Sequence, residues 1–129
     1  MSTKQPESRR RWLPYLFAAG GVFWLIQLTQ FAAYLINPLG RDQLVQALAG
    51  AGFQRNAAQL LMVEAVIIVF LEVCAAVLHG AAFYGLRRFA AWGWVAATLV
   101  AAAWSFVLVG IPILIFLLRR QTRQAYGVP

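Results

Sequence analysis

Residues 60–86 read LLMVEAVIIVFLEVCAAVLHGAAFYGL, a continuous, mostly apolar run that carries three ionisable side chains, Glu64, Glu72 and His79. A helix needs about 20 apolar residues to cross the roughly 30 Å hydrocarbon core of a bilayer, and this run exceeds that. A charge at mid-bilayer costs about 2.5–3.5 kcal/mol on insertion scales, so such groups turn toward protein or trapped water. The run therefore predicts an all-α integral membrane protein and marks one helix as the place where polar groups gather. Composition agrees with that class. Of 129 residues, 62% are hydrophobic and only 12% are charged, against about 25% in a soluble domain. The length suits a single membrane domain over residues 1–129, and no polar stretch is long enough to bury a core of its own.

The formal net charge is +7, but the basic residues sit just outside the apolar runs. There they read as topology signals and contacts for anionic lipid, not as a nucleic-acid surface. Residues 1–11 (MSTKQPESRRR) form a basic tail, expected on the cytoplasmic side. Arg9-Arg10 within it resemble a twin-arginine export signal, yet no soluble cargo follows. Cys74, the one cysteine, lies inside an apolar run; alone it supports neither an intrachain disulfide nor a metal site, and it reads as a packing residue.

Three spans are expected. The first covers residues 13–36 and ends at the turn cluster Asn37-Pro38-Leu39-Gly40. Residues 41–56 follow as a short interfacial helix, with Leu44, Val45 and Leu48 on one face, Gln43 and Gln46 opposite, and a stop at Gly50 or Gly52. The second span covers 60–86. Arg87-Arg88 make a tight connection to the third, at 89–118, and a basic tail closes the chain at 119–129. Two complete crossings need about 40 residues plus a turn, so the 30 residues from Phe89 to Leu118 predict one long third span, kinked near Pro112. The alternative is a re-entrant hairpin turning near residues 104–110. The single-span reading divides the basic residues six against five between the two sides. The hairpin divides them nine against two.

At about 100° per residue, Glu72 and His79 lie within about 20° of one helix face and Glu64 about 80° away. The three share a broad stripe, although a rise of about 10 Å between Glu72 and His79 prevents their direct pairing. Gln27 and Gln30 on the first span and Ser105 on the third fall at matching depths, a pattern that suits an internal polar seam or a face docked on another protein. Gly93, Ala97, Ala101 and Ser105 recur every four residues, and Ala76 and Gly80 repeat the spacing. Small residues at i, i+4 let helix backbones approach closely. No phosphate loop, metal-ligand cluster or nucleophile–base arrangement occurs, so no catalytic or metal-binding residue is assigned.

Two resemblances bear on function. The segments YGLRRFAAWGWV and GIPILIFLLRRQTRQAYGV resemble the ending of many small uncharacterised bacterial multi-span membrane proteins. LFAAGGVFW at residues 16–24, NPLG at 37–40 and a histidine late in the second span resemble the D-type membrane anchor of fumarate reductases. That resemblance implies a quinone or haem cofactor, with His79 and Arg87 nearest the quinone end. The leading expectation is a non-enzymatic accessory subunit of a bacterial inner-membrane complex, in contact with the lipid bilayer and with other membrane subunits or a second copy. The respiratory anchor is one alternative. An oligomeric proton- or cation-coupled transporter using Glu64 and Glu72 is the other.

Overall fold

A computed structural model describes residues 11–129; of the basic N-terminal segment, residues 1–10, with Lys4, Arg9 and Arg10, lie outside the described residues. Among the described residues all regular structure is helical: α1 (Leu13–Ile36), α2 (Pro38–Leu48), α3 (Ala57–Arg87), α4 (Ala91–Trp104), α5 (Gly110–Leu118) and α6 (Arg120–Ala125). Two of them, α1 and α3, are long and apolar enough to cross a membrane. Only 6% and 17% of their apolar windows are buried within the chain. The core helix of a soluble protein would be mostly covered, whereas these present large apolar side chains such as Phe70, Leu71, Val66 and Ile26 outward.

Helix boundaries follow local chemistry. Pro14 sits in the first turn of α1, where its missing N–H is no loss. Pro38 forces Asn37 out of the helical region, to φ −75° and ψ 122°. Asn37 then caps α2, its side chain accepting the Leu39 N–H at 3.0 Å. α2 thus starts at Pro38, earlier than the expected residue 41. Its half-buried face is Leu44, Val45 and Leu48, with Gln43 and Gln46 exposed, as the spacing predicts. A π turn over Ala49–Phe53 ends it, with Gly52 at φ 102°. α3 ends in a Schellman motif: the Ala90 N–H donates to the Gly85 carbonyl and the Phe89 N–H to the Leu86 carbonyl. The left-handed position of that motif is held by Phe89 at φ 52°, where glycine is the usual occupant.

The single long third span does not form. α4 stops at Trp104, a 3₁₀ turn covers Ser105–Val107, Leu108 is left-handed at φ 65°, and α5 starts at Gly110. The two helices are antiparallel: the Trp94 indole N–H donates to the Leu117 carbonyl at 2.9 Å, while Gly110 lies directly on the Ala101 carbonyl. A Cβ at position 110 would collide with that oxygen. Ser105 Oγ donates back to the Ala101 carbonyl at 2.8 Å, competing with the helical ladder where α4 gives way. Pro112 falls in the first turn of α5, so it helps to start a helix and does not kink one. Fourteen and nine residues reach only about 21 Å and about 14 Å at the helical rise, so neither arm is a complete crossing.

The chain divides into two compact units, residues 1–22 with 75–129, and residues 23–74. In the first, Leu13, Phe17, Ala82, Leu86, Ala97, Val100, Ala101, Leu117 and Tyr126 build one apolar core. Gly93, Ala97 and Ala101 are buried, as expected for a helix-packing stripe, and Gly93 meets the backbone of Gly85 on α3. Gly80 departs from expectation. It is exposed, and an added Cβ would meet nothing, because it lies about 100° past His79 and off the buried face. Ala76 is half-buried, its carbonyl about 4.0 Å from a Cβ built on Gly21 of α1. Residues 119–129 fold back. α6 ends in a second Schellman motif, with Gly127 at φ 69°, and Tyr126 is only 1% exposed. The second unit holds α2, the π turn, and the adjoining parts of α1 and α3.

Candidate functional site

The buried and half-buried positions on α3 include a series at 61, 65, 68, 72, 75, 79, 82 and 86, flanked by others such as 69, 76, 83 and 85. Alternating steps of four and three residues keep one seam of a helix turned inward. Glu72 and His79 both occupy that seam, as their seven-residue spacing requires. Glu64 does not: it is exposed, one position short of the buried Ala65. The 80° offset read from the sequence is enough to carry it off the seam.

His79 is 4% exposed and held on three sides. Its Nδ1 lies 2.7 Å from the Ala75 carbonyl, which only accepts, so Nδ1 carries the proton. The indole N–H of Trp104 lies 3.0 Å from Nε2 and only donates, so Nε2 is the acceptor. The two bonds fix a neutral imidazole in one tautomer and leave neither ring nitrogen free. Gly20 of α1 closes the third side: a Cβ there would stand 2.6 Å from Nε2. The indole meets the imidazole edge-on at 6.3 Å, and Phe17 packs at 6.3 Å. From sequence, Trp104 reads as a mid-membrane indole turned toward protein but not as the partner of His79; depth along the helices favours Thr98 for that place. The Thr98 hydroxyl instead donates to the Trp94 carbonyl within its own helix. The available signal is a long side chain nearly two turns further along α4, able to reach back to the level of His79.

A haem or other metal ligand at position 79 requires a free ring nitrogen, and here the node that would have to open spans α1, α3 and α4. Glu72 presents the opposite situation. It is 9% exposed, and its Oε2 is buried with no hydrogen-bond partner among the described residues. Gln27 is half-buried and Gln30 exposed, and no hydrogen bond joins either to Glu72. Ser105 is committed to its own helix. The expected polar seam is thus two separate features: a satisfied node at His79 and, at Glu72, a buried carboxyl oxygen with no partner among the described residues.

A third feature lies where the helix ends of the first unit converge. Trp12 and Phe116 rings stand 6.0 Å apart, Tyr15 and Phe83 6.1 Å, Tyr84 and Trp92 6.2 Å, and Phe89 stacks on Tyr126 at 5.5 Å. The guanidinium of Arg88 lies 4.5 Å above the Tyr84 ring and that of Arg87 5.5 Å above Phe83, both within cation–π range.

Among the described residues no group of three or more His, Cys, Asp or Glu side chains is placed to hold a metal. A cleft of about 310 Å³ at the corner of α1 and α2 is lined by Ala33, Tyr34, Asn37, Leu39, Gly40 and Gln43; the side-chain Oδ1 of Asn37 there already accepts the Leu39 N–H in capping. Comparison of the chain with protein-family models, curated proteins and solved structures gave no match.

Proposed function

We propose that this chain is a small, non-enzymatic accessory subunit of a bacterial inner-membrane assembly. In this reading α1 and α3 cross the bilayer, and the α4–α5 hairpin enters from the Arg87-Arg88 side and returns to it. The observation that carries it is the His79 node. The residue best suited to chemistry has both ring nitrogens committed to bonds that tie α4 to α3, and it is packed against α1. That is the use of a polar group as an internal tie between membrane helices. The hairpin supports an orientation in this reading. With it, the sequence divides the basic residues nine (Lys4, Arg9, Arg10, Arg11, Arg87, Arg88, Arg119, Arg120 and Arg123) against two (Arg41 and Arg55), and the positive-inside rule favours a cytoplasmic N-terminus. The broad apolar flanks of α1 and α3 supply the surface for lipid and for partner helices.

The test is extraction of the tagged chain in mild detergent, followed by mass spectrometry of what accompanies it. A larger membrane protein in fixed stoichiometry is expected. Recovery as a free monomer alone refutes the reading.

One observation favours a second reading, an oligomeric proton- or cation-coupled transporter. A buried carboxyl oxygen, Oε2 of Glu72, with no hydrogen-bond partner among the described residues and in the middle of an apolar helix, is the element such a device requires. Glu72→Gln keeps the shape and a hydrogen-bonding amide. It would leave assembly intact and abolish coupled transport in proteoliposomes. A purely structural Glu72 would tolerate Gln, whereas Glu72→Leu would weaken assembly.

A further inference from the structure

We infer that the arginine-bearing end of the first unit is a folded binding surface for acidic phospholipid headgroups, with α6 as one of its walls. The inference rests on the membrane reading given above and adds a ligand to it. Its first support is charge. The described residues of this unit include Arg11, Arg87, Arg88, Arg119, Arg120 and Arg123, and no aspartate or glutamate. Asp42, Glu64 and Glu72 all belong to the other unit. Six positive charges with no acidic side chain among the described residues of the unit favour anions supplied from outside. Five of the six are exposed. The sixth, Arg123, is half-buried, and its Nε makes no hydrogen bond among the described residues.

The second support is order. A basic tail that merely trails from a membrane helix attracts anions without a defined geometry. Here the tail is anchored. Tyr126 is buried in the same core as Leu13, Leu86 and Leu117, and it stacks on Phe89, the residue after Arg88. This draws α6, with Arg120 and Arg123, to the α3–α4 turn. Arg87 and Arg88 are themselves braced over Phe83 and Tyr84.

The third support is the collar. Trp12, Tyr15, Tyr84 and Trp92 are all about half-exposed around this end. Such amphipathic rings settle at headgroup depth, which would set the arginines level with lipid phosphates. Arginine is suited to that ligand because its planar fork pairs with two phosphate oxygens at once. An acidic protein segment would satisfy the charge but would leave the aromatic collar unexplained.

The test uses the full chain in detergent micelles, titrated with phosphatidylglycerol or phosphatidylcholine and read by native mass spectrometry and thermal unfolding. Retention of phosphatidylglycerol over phosphatidylcholine, with a raised unfolding midpoint, is expected. The gain should shrink in high salt. Each arginine near an anionic surface is worth a factor of about five, so Arg119→Gln/Arg120→Gln/Arg123→Gln should lose about 100-fold in retention. Tyr126→Ala keeps every charge but releases α6 and should lose most of that preference too. Arg41→Gln/Arg55→Gln removes two charges from the other unit and should change nothing. Inorganic phosphate should not substitute for the lipid. Equal retention of both lipids, an unaffected arginine triple variant, equal protection by free phosphate, or displacement of the lipid by an acidic peptide at matched charge would each overturn the inference. A chain that needs detergent yet shows no lipid preference would sink this inference alone. A chain soluble without detergent would sink the membrane reading beneath it.

Discussion

The His79–Trp104 bond can be tested as a pair. Trp104→Phe keeps an aromatic ring but removes the N–H that satisfies Nε2. His79→Leu removes the acceptor that the indole N–H meets at 3.0 Å. Each single change removes one side of the bond and takes away the other's partner in it, a cost of about 1–3 kcal/mol. The double variant removes both sides together, so it should cost less than the sum of the two. Interhelical hydrogen bonds between membrane helices show couplings of about 0.6 kcal/mol on average and about 1.7 at most. At 3.0 Å, with both partners fixed by neighbours, this bond should fall in the upper half of that range. The assay is reversible unfolding of the four proteins in mixed micelles, with the coupling taken from the double-mutant cycle. Independent sites add within about 0.3–0.5 kcal/mol. A coupling inside that margin would mean that the bond ties nothing together, and the structural role given to His79 would fall with it.

Other perturbations follow from the packing. Gly20→Ala places a Cβ 2.6 Å from Nε2 of His79 and should cost about 1–3 kcal/mol by overpacking, read as a lowered unfolding midpoint; a neutral result would deny the close approach of α1. Ala101→Leu should cost a similar amount, because its neighbour Gly110 has no space to give, and parental stability would show that the α4–α5 contact is loose. Tyr126→Ala removes a fully buried ring and should open residues 119–129 to limited proteolysis while α1 and α3 stay protected; an equally resistant tail would contradict its docking.

How much of this was legible in the sequence depended on whether a local signal existed. α1 and α3 were readable from run length, and the corner at residues 37–40 from Asn37-Pro38, since a proline restricts its predecessor whatever surrounds it. The inward face of α2 was readable from spacing alone. The third apolar run was not. Its 30 residues carry no polar punctuation, and the reversal is made by a left-handed leucine at 108, a residue type with no preference for that conformation. The same holds for Phe89 at the end of α3. Pro112 was read as a kink because its effect depends on whether it stands inside a helix or in its first turn, and only the fold decides which. Glu72 and His79 were correctly placed on one face. What distinguishes them, a full set of partners for one and an empty Oε2 for the other, depends on Trp104 and on neighbours that helix periodicity does not reveal. Tyr126 looked like part of a solvated basic tail because its partner, Phe89, lies 37 residues away in the chain.

The most direct test of the account is the sidedness of the chain's basic segments, since the hairpin, the orientation and the clustering of arginines all depend on it. Single cysteines at positions 55, 88 and 120, introduced as Arg55→Cys, Arg88→Cys and Arg120→Cys in a Cys74→Ser background, can be probed with a membrane-impermeant maleimide in sealed vesicles of known orientation. Positions 88 and 120 should react from the same side and position 55 from the opposite one. Labelling of position 120 together with position 55, from the side opposite to 88, would mean that residues 89–118 cross the bilayer once, and would contradict the account.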